Sequence, residues 1–126
     1  MLQNELFTFT APQADGNLIK TNIQLNPSHP IFEGHFPGQP ILPGVCMLQM
    51  VKEVLEAAIN NQTRLLKAAE LKFLVIVAPE QDKVIQMELK VTDETELLRV
   101  EARLLDDSLV LFKFKGTFAA LPVRLK

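Results

Sequence analysis

The sequence predicts an α+β domain: one long helix packed against an antiparallel sheet of about six strands. Three observations predict it. A single run, Gly44 to Asn60, carries apolar residues at helical spacing; several other segments alternate apolar and polar residues; and short turn-like pieces join those segments.

In chain order, a short strand is expected around Leu6 to Thr10. Leu18 to Asn26 follows, with Ile19, Thr21, Ile23 and Leu25 on one face and Leu18, Lys20, Asn22 and Gln24 on the other. In the helix, Val45, Leu48, Val51, Leu55, Ala58 and Ile59 form a wide apolar face that Met47, Met50 and Val54 extend. Gln49, Lys52, Glu53, Glu56 and Asn60 form its one polar stripe, with Gln49 at the wet edge. Four more strands are expected around Leu66 to Ala78, Lys83 to Thr92, Glu96 to Leu105 and Leu109 to Ala119, separated by APEQD, TDET and LDDS. Ile85, Met87, Leu89 and Val91 share one face of the second of these, and Phe112, Phe114 and Phe118 share one face of the last. Short connections favour antiparallel meanders, and alternation buries one sheet face.

With 126 residues, the chain forms one domain that needs neither metal nor disulfide to fold. Its 48% hydrophobic content suggests apolar surface covered by another subunit. Thirteen basic and fifteen acidic residues give a net charge of -2, so no overall positive field favours nucleic acid or an anionic membrane. The opening MLQNELFTFTAPQ lacks the basic start and long apolar stretch of a signal peptide, and no apolar run reaches spanning length. The expectation is a cytoplasmic protein, and the single cysteine, Cys46, fits a reducing compartment.

The chemistry concentrates in HPIFEGHFPGQPILPGVCMLQ, residues 29 to 49. His35 lies in a loop stiffened by Pro37, Pro40 and Pro43, and that loop delivers Gly44 to the start of the helix. Imidazole titrates nearest neutrality and serves as a base without much tuning. The first amides of a helix have no intrahelical acceptor, so they and the helix dipole stabilise a developing oxyanion. Gly44 lets a ligand approach the backbone closely. Gln49 lies roughly 7 to 8 Å further along the axis. The plainer readings are a histidine that bonds a carbonyl and a Pro-Gly pair that starts a helix. His29 and His35 lack further ligands at a metal-site spacing. Cys46 is either a thiol activated at the helix start or a small buried hydrophobe. Arg99, Arg103, Lys113 and Lys115 are read as solvated sheet faces, or as a dock for an acidic partner.

The run GHFPGQPILPGV, residues 34 to 45, resembles the active-site motif of the FabZ-type β-hydroxyacyl-acyl-carrier-protein dehydratases. The histidine, phenylalanine, prolines and glycines stand at the family's spacing, and LKFLVIVAPEQD resembles the family's later strand and turn. The resemblance implies the hot-dog fold, with a long central helix wrapped by an antiparallel sheet. It also implies a dimer whose sheets join, or a higher oligomer built from dimers, and sites shared between subunits. The substrate would be a thioester on the phosphopantetheine arm of an acyl carrier protein, or of coenzyme A, with no other cofactor. His35 would remove the C2 proton of a 3-hydroxyacyl thioester, and the Gly44 N–H would hold the thioester oxygen. Phe36, Pro43 and Val45 would contact the substrate. Water then leaves and a trans-2-enoyl thioester remains.

Where the family has a carboxylic acid on the helix, this chain has Gln49. An amide orients a hydroxyl but does not protonate it. Glu53, one turn on, is the candidate substitute acid, and its alternative is an ordinary exposed glutamate. The tyrosine that gates the acyl tunnel in some members is absent, since the chain has no Tyr. Three functions are therefore weighed. They are a dehydratase in fatty-acid, polyketide or polyene synthesis, a silent acyl-binding subunit paired with a related dehydratase, and a hot-dog thioesterase.

Overall fold

A computed structural model describes residues 2–33 and 40–121. The elements are β1 (Phe7–Phe9), β2 (Gln13–Asp15), β3 (Leu18–Leu25), a 3₁₀ turn (Pro30–Phe32), α1 (Gly44–Ile59), β4 (Thr63–Phe73), β5 (Val84–Glu94), β6 (Leu97–Asp106) and β7 (Leu109–Ala120). All the strands join one antiparallel sheet in the order β1-β3-β5-β6-β7-β4, with β2 paired to β3. This is the hot-dog architecture expected from the sequence. The strand β2 adds to the six expected ones. It is a three-residue, fully exposed piece with no apolar alternation to announce it.

The order follows from the connections. Between β5 and β6, and between β6 and β7, the chain reverses through tight turns in which Glu96 (φ 64°) and Asp107 (φ 52°) take left-handed conformations. The helix instead carries the chain across the sheet, so β4 pairs with β7 at the far edge rather than with β3.

The expected strand 66 to 78 is displaced: β4 begins at Thr63 and ends at Phe73. At its start, the Glu56 carboxylate accepts from both the Thr63 N–H (2.6 Å) and its hydroxyl (3.1 Å), tying the helix end to the strand. Just before this, Asn60 closes the helix in the left-handed conformation (φ 54°, ψ 46°). Beyond Phe73 the apolar sequence continues but the pairing changes. Leu74 and Val75 both donate to the Leu111 carbonyl, and the Val77 carbonyl accepts from Leu42 at 2.7 Å. An apolar run alone does not distinguish a strand from a packed loop.

The core lies between the helix and one sheet face. Met50, Val51, Val54 and Leu55 are fully buried against Ile23, Met87, Leu89, Leu104, Phe112 and Phe114. Each such side chain contributes about 1.5–3 kcal/mol through burial. The alternation read from β3, β5 and β7 is the observed one. Two helix positions differ from expectation: Val45 is 74% exposed and Glu53 is only 2% exposed. On β7, Gly116 faces the bulged stretch of β4, where a β-carbon would meet the Lys67 carbonyl and the Phe114 ring.

Candidate functional site

The helix start is fixed by the residues that precede it. Leu42 is buried at 1% exposure and its N–H is held by Val77, so Pro43 enters the helix from an anchored position. Pro43 (φ -63°, ψ 145°) is the N-cap and gives no side-chain cap; its carbonyl accepts from Cys46 (3.0 Å) and Met47 (3.4 Å). The Gly44 and Val45 amides thus head the helix, with no acceptor among the described residues and no acidic side chain in the first turn. The dipole there favours negative charge.

The ring of Phe73 lies over Gly44 and stacks on Phe112, with centroids 5.3 Å apart. A β-carbon on residue 44 would come within 2.6 Å of Phe73 Cζ, so glycine is what lets the aromatic wall close on the helix start. Val45 (74% exposed), Phe73 (49%), Leu74 (51%) and Ile76 (71%) leave apolar surface beside or following this wall. Pro43 is half-buried. His35 and Phe36 lie outside the described residues.

Gln49 is half-buried on the helix, and its Nε2 donates to Glu53 Oε2 at 3.0 Å. Glu53 is neither the ordinary exposed glutamate nor a free acid. Leu2 N–H donates to its Oε2 at 2.9 Å and Gln3 N–H to its Oε1 at 2.8 Å. Every one of these contacts uses the carboxylate as an acceptor, which leaves it poorly placed to donate a proton as substitute acid. The polar stripe marked the right helix face, but the residues that bury Glu53 come from a segment some fifty positions away. No local signal could have found them.

Cys46 is buried at 5% exposure, and that burial raises its thiol pKa. The activated-thiol reading is therefore corrected: burial disfavours the thiolate at this position. His29 Nδ1 accepts from Ile31 N–H at 3.0 Å and so caps the 3₁₀ turn. Among the described residues no group of three His, Cys, Asp or Glu side chains could hold a metal ion.

The outer sheet face is a lattice of opposite charges. Arg103 pairs with Glu88, Arg99 with Glu94 (2.9 Å), Lys115 with Glu101 (3.5 Å) and Lys72 with Glu70 (2.9 Å). The first three pairs answer one another across neighbouring strands and the last lies along β4, as on a solvated face. A cavity of about 350 Å³ opens on this face, among Glu70, Glu88, Arg103 and Lys113, and neither Gly44 nor Gln49 lines it. No described helix is long and apolar enough to cross a membrane.

Comparison with known proteins bears on the family and the fold. The chain is 37% identical over 57 residues to the 3-hydroxyacyl-[acyl-carrier-protein] dehydratase FabZ of Haemophilus influenzae. That stretch covers 45% of this chain and 38% of the relative, so the match spans less than two fifths of the relative's length. Among solved structures, the dehydratase heterocomplex ApeI:P from Xenorhabdus doucetiae superposes with a TM-score of 0.70 at 20% identity, over 88% of this chain and 96% of that one. The PaaI protein of the Escherichia coli phenylacetic acid degradation operon gives 0.66 at 10% identity, over 92% and 80%. Both are similar in fold. The family model of the ApeI-like dehydratases, described as ApeI dehydratase, matches residues 11–122, most of the chain, and this protein belongs to that family.

Proposed function

We propose that this protein dehydrates 3-hydroxyacyl thioesters to trans-2-enoyl thioesters, with the acyl group carried on a phosphopantetheine arm. The observation that carries the reading is the helix start at Gly44, where amides with no acceptor among the described residues, and the dipole, meet an aromatic wall that excludes any side chain. Such a place suits the oxygen of a thioester as it gains enolate charge. His35, which the sequence puts nine residues before Gly44, takes the C2 proton. The C2–H electron pair forms the C2=C3 bond, and the C3–O bond breaks.

The departing hydroxide needs a proton, which the Gln49 amide does not supply. Of the assigned groups, the imidazolium of His35 has just gained one, so it returns that proton and water leaves. Gln49 holds the C3 hydroxyl in line. The reaction uses no metal and no nucleotide. A separate general acid is typically worth about 100- to 10,000-fold, so this route is slower than a two-residue one.

The site is completed by a second subunit, either a second copy or a related dehydratase chain. Supporting this, β4 is an edge strand, and Leu66, Leu71 and Phe73 on it are 41–49% exposed. The carrier is an acyl carrier protein or coenzyme A.

The test is to incubate the purified protein with a 3-hydroxyacyl thioester and follow enoyl formation. Native protein should exceed His35→Ala by at least 100-fold, and equal rates would sink the reading. Free thiol in place of enoyl product would make the protein a thioesterase. The bond from Gln49 to Glu53 favours one alternative, an acyl-binding partner in a mixed dimer, because it leaves no free acid at this point of the helix. Gln49→Glu decides between them: lost activity means that the glutamine is used, and a strong gain marks a lapsed acid.

A further inference from the structure

The Glu53 carboxylate is buried, and among the described residues no cation lies beside it and the groups that satisfy it are three N–H donors. Two of these, from Leu2 and Gln3, are backbone groups, and they hold both carboxylate oxygens in place. A carboxylate so held is a rigid reference for its third partner. Because an ionised carboxylate only accepts hydrogen bonds, the Gln49 amide must turn its nitrogen toward Glu53. The opposite orientation would set its carbonyl oxygen against a carboxylate oxygen near 3.0 Å.

The other end of the amide, Oε1, then points away, and nothing among the described residues donates to it. We propose that Glu53 is a positioning residue that fixes the polarity of Gln49, so that Gln49 presents a hydrogen-bond acceptor to its ligand. This rests on the dehydratase reading and adds a specificity to it. The site selects a C3 substituent that donates a hydrogen bond, a hydroxyl, over one that only accepts, a 3-oxo group. An amide free to turn could serve either.

The role differs from that of a proton donor. Glu53 acts through Gln49, and its own oxygens stay engaged. An amide at position 53 would accept through one oxygen only. In one orientation its NH₂ group would face the Gln3 N–H; in the other it would face both the Leu2 N–H and the Gln49 nitrogen, and Gln49 would then turn over to accept from it.

The test compares binding of two stable analogues, 3-hydroxyacyl and 3-oxoacyl pantetheine amides, to native protein and to Glu53→Gln. Native protein should prefer the hydroxyl analogue by about tenfold, the worth of one well-formed hydrogen bond. In folded Glu53→Gln that ratio should fall toward one, a change that a purely structural role would not produce. If native protein discriminates and the folded variant discriminates equally, the positioning role is overturned while the dehydratase reading stands. If native protein binds neither analogue and forms no enoyl product, both fail.

A second measurement needs no folded variant at position 53. In native protein one side-chain amide proton of Gln49, assigned by its loss in Gln49→Leu, should resonate downfield and exchange slowly, as a bond to a buried carboxylate requires. Exchange as fast as that of an exposed glutamine would overturn the proposal.

Discussion

The ring of Phe73 occupies the space that a β-carbon on Gly44 would need, its Cζ lying 2.6 Å from that position. A strand end and a helix start are thus fitted to each other at the point where two backbone amides have no acceptor among the described residues. Gly44→Ala should displace the ring and shift the helix start. The expected result is a 10- to 100-fold fall in kcat, roughly what a small misplacement of reacting groups costs. Gly44→Ala combined with Phe73→Ala restores the room and should recover part of the loss. A Gly44→Ala protein as active as the native one would show that the tight fit does not matter.

The carboxylate of Glu56 joins the end of the helix to the first residue of β4. Thr63 is 3% exposed, so Glu56→Ala leaves its N–H and hydroxyl without this acceptor. Urea unfolding should register a loss of about 1–3 kcal/mol. Glu56→Gln retains an acceptor oxygen and should lose less.

Gly116 permits β4 to approach β7 at the bulge. In Gly116→Val the branched side chain would meet the Lys67 carbonyl and the Phe114 ring. Overpacking of this kind typically costs about 1–3 kcal/mol. A melting temperature equal to that of native protein would mean that the bulge adapts without strain.

Burial holds the Cys46 thiol protonated beyond its ordinary range. Native protein should therefore react with a thiol reagent at neutral pH far more slowly than protein unfolded in urea. The sign of the pH effect follows from the raised folded pKa. The contribution is intact below the ordinary thiol pKa and declines as pH climbs past it toward the folded value, because the unfolded chain loses its proton first. Cys46→Ala should flatten that part of the alkaline decline in stability, and an unchanged slope would count against a buried thiol.

The exposed apolar residues of β4 bear on assembly. Leu66→Lys together with Leu71→Lys should shift sedimentation toward monomer and reduce activity in parallel. Full activity in a monomeric variant would mean that one chain suffices.

Much of the fold was legible because most of its strands alternate cleanly. Ile19, Thr21, Ile23 and Leu25 alternate with polar neighbours, so their faces, and with them the sheet's buried side, follow from a period of two. Edge elements were less legible. Among the described strands β4 has only one neighbour, and it exposes most of its residues, so its apolar content does not mark its bounds, and Leu74 to Val77 reads as strand although it leaves the ladder. The exposure of Val45 was likewise hidden, since its neighbours Cys46 and Met47 in the same first turn are buried in the core and only the packing of the helix start shows that Val45 faces away from it.

The sequence by itself determined the α+β class, the helix and its start at Gly44, and the family likeness of the proline-framed run that contains His35. These depend on neighbours in the chain: periodicity, proline and glycine geometry, and motif spacing. The contacts and burial of Gln49 and Glu53 follow only from the tertiary structure. Spacing put them one turn apart on the same face, and that would serve an exposed pair as well as a buried one. Leu2 and Gln3 settle it by folding over the helix and donating to the carboxylate. A contact across fifty residues leaves no local pattern, because it depends on backbone groups that every residue carries.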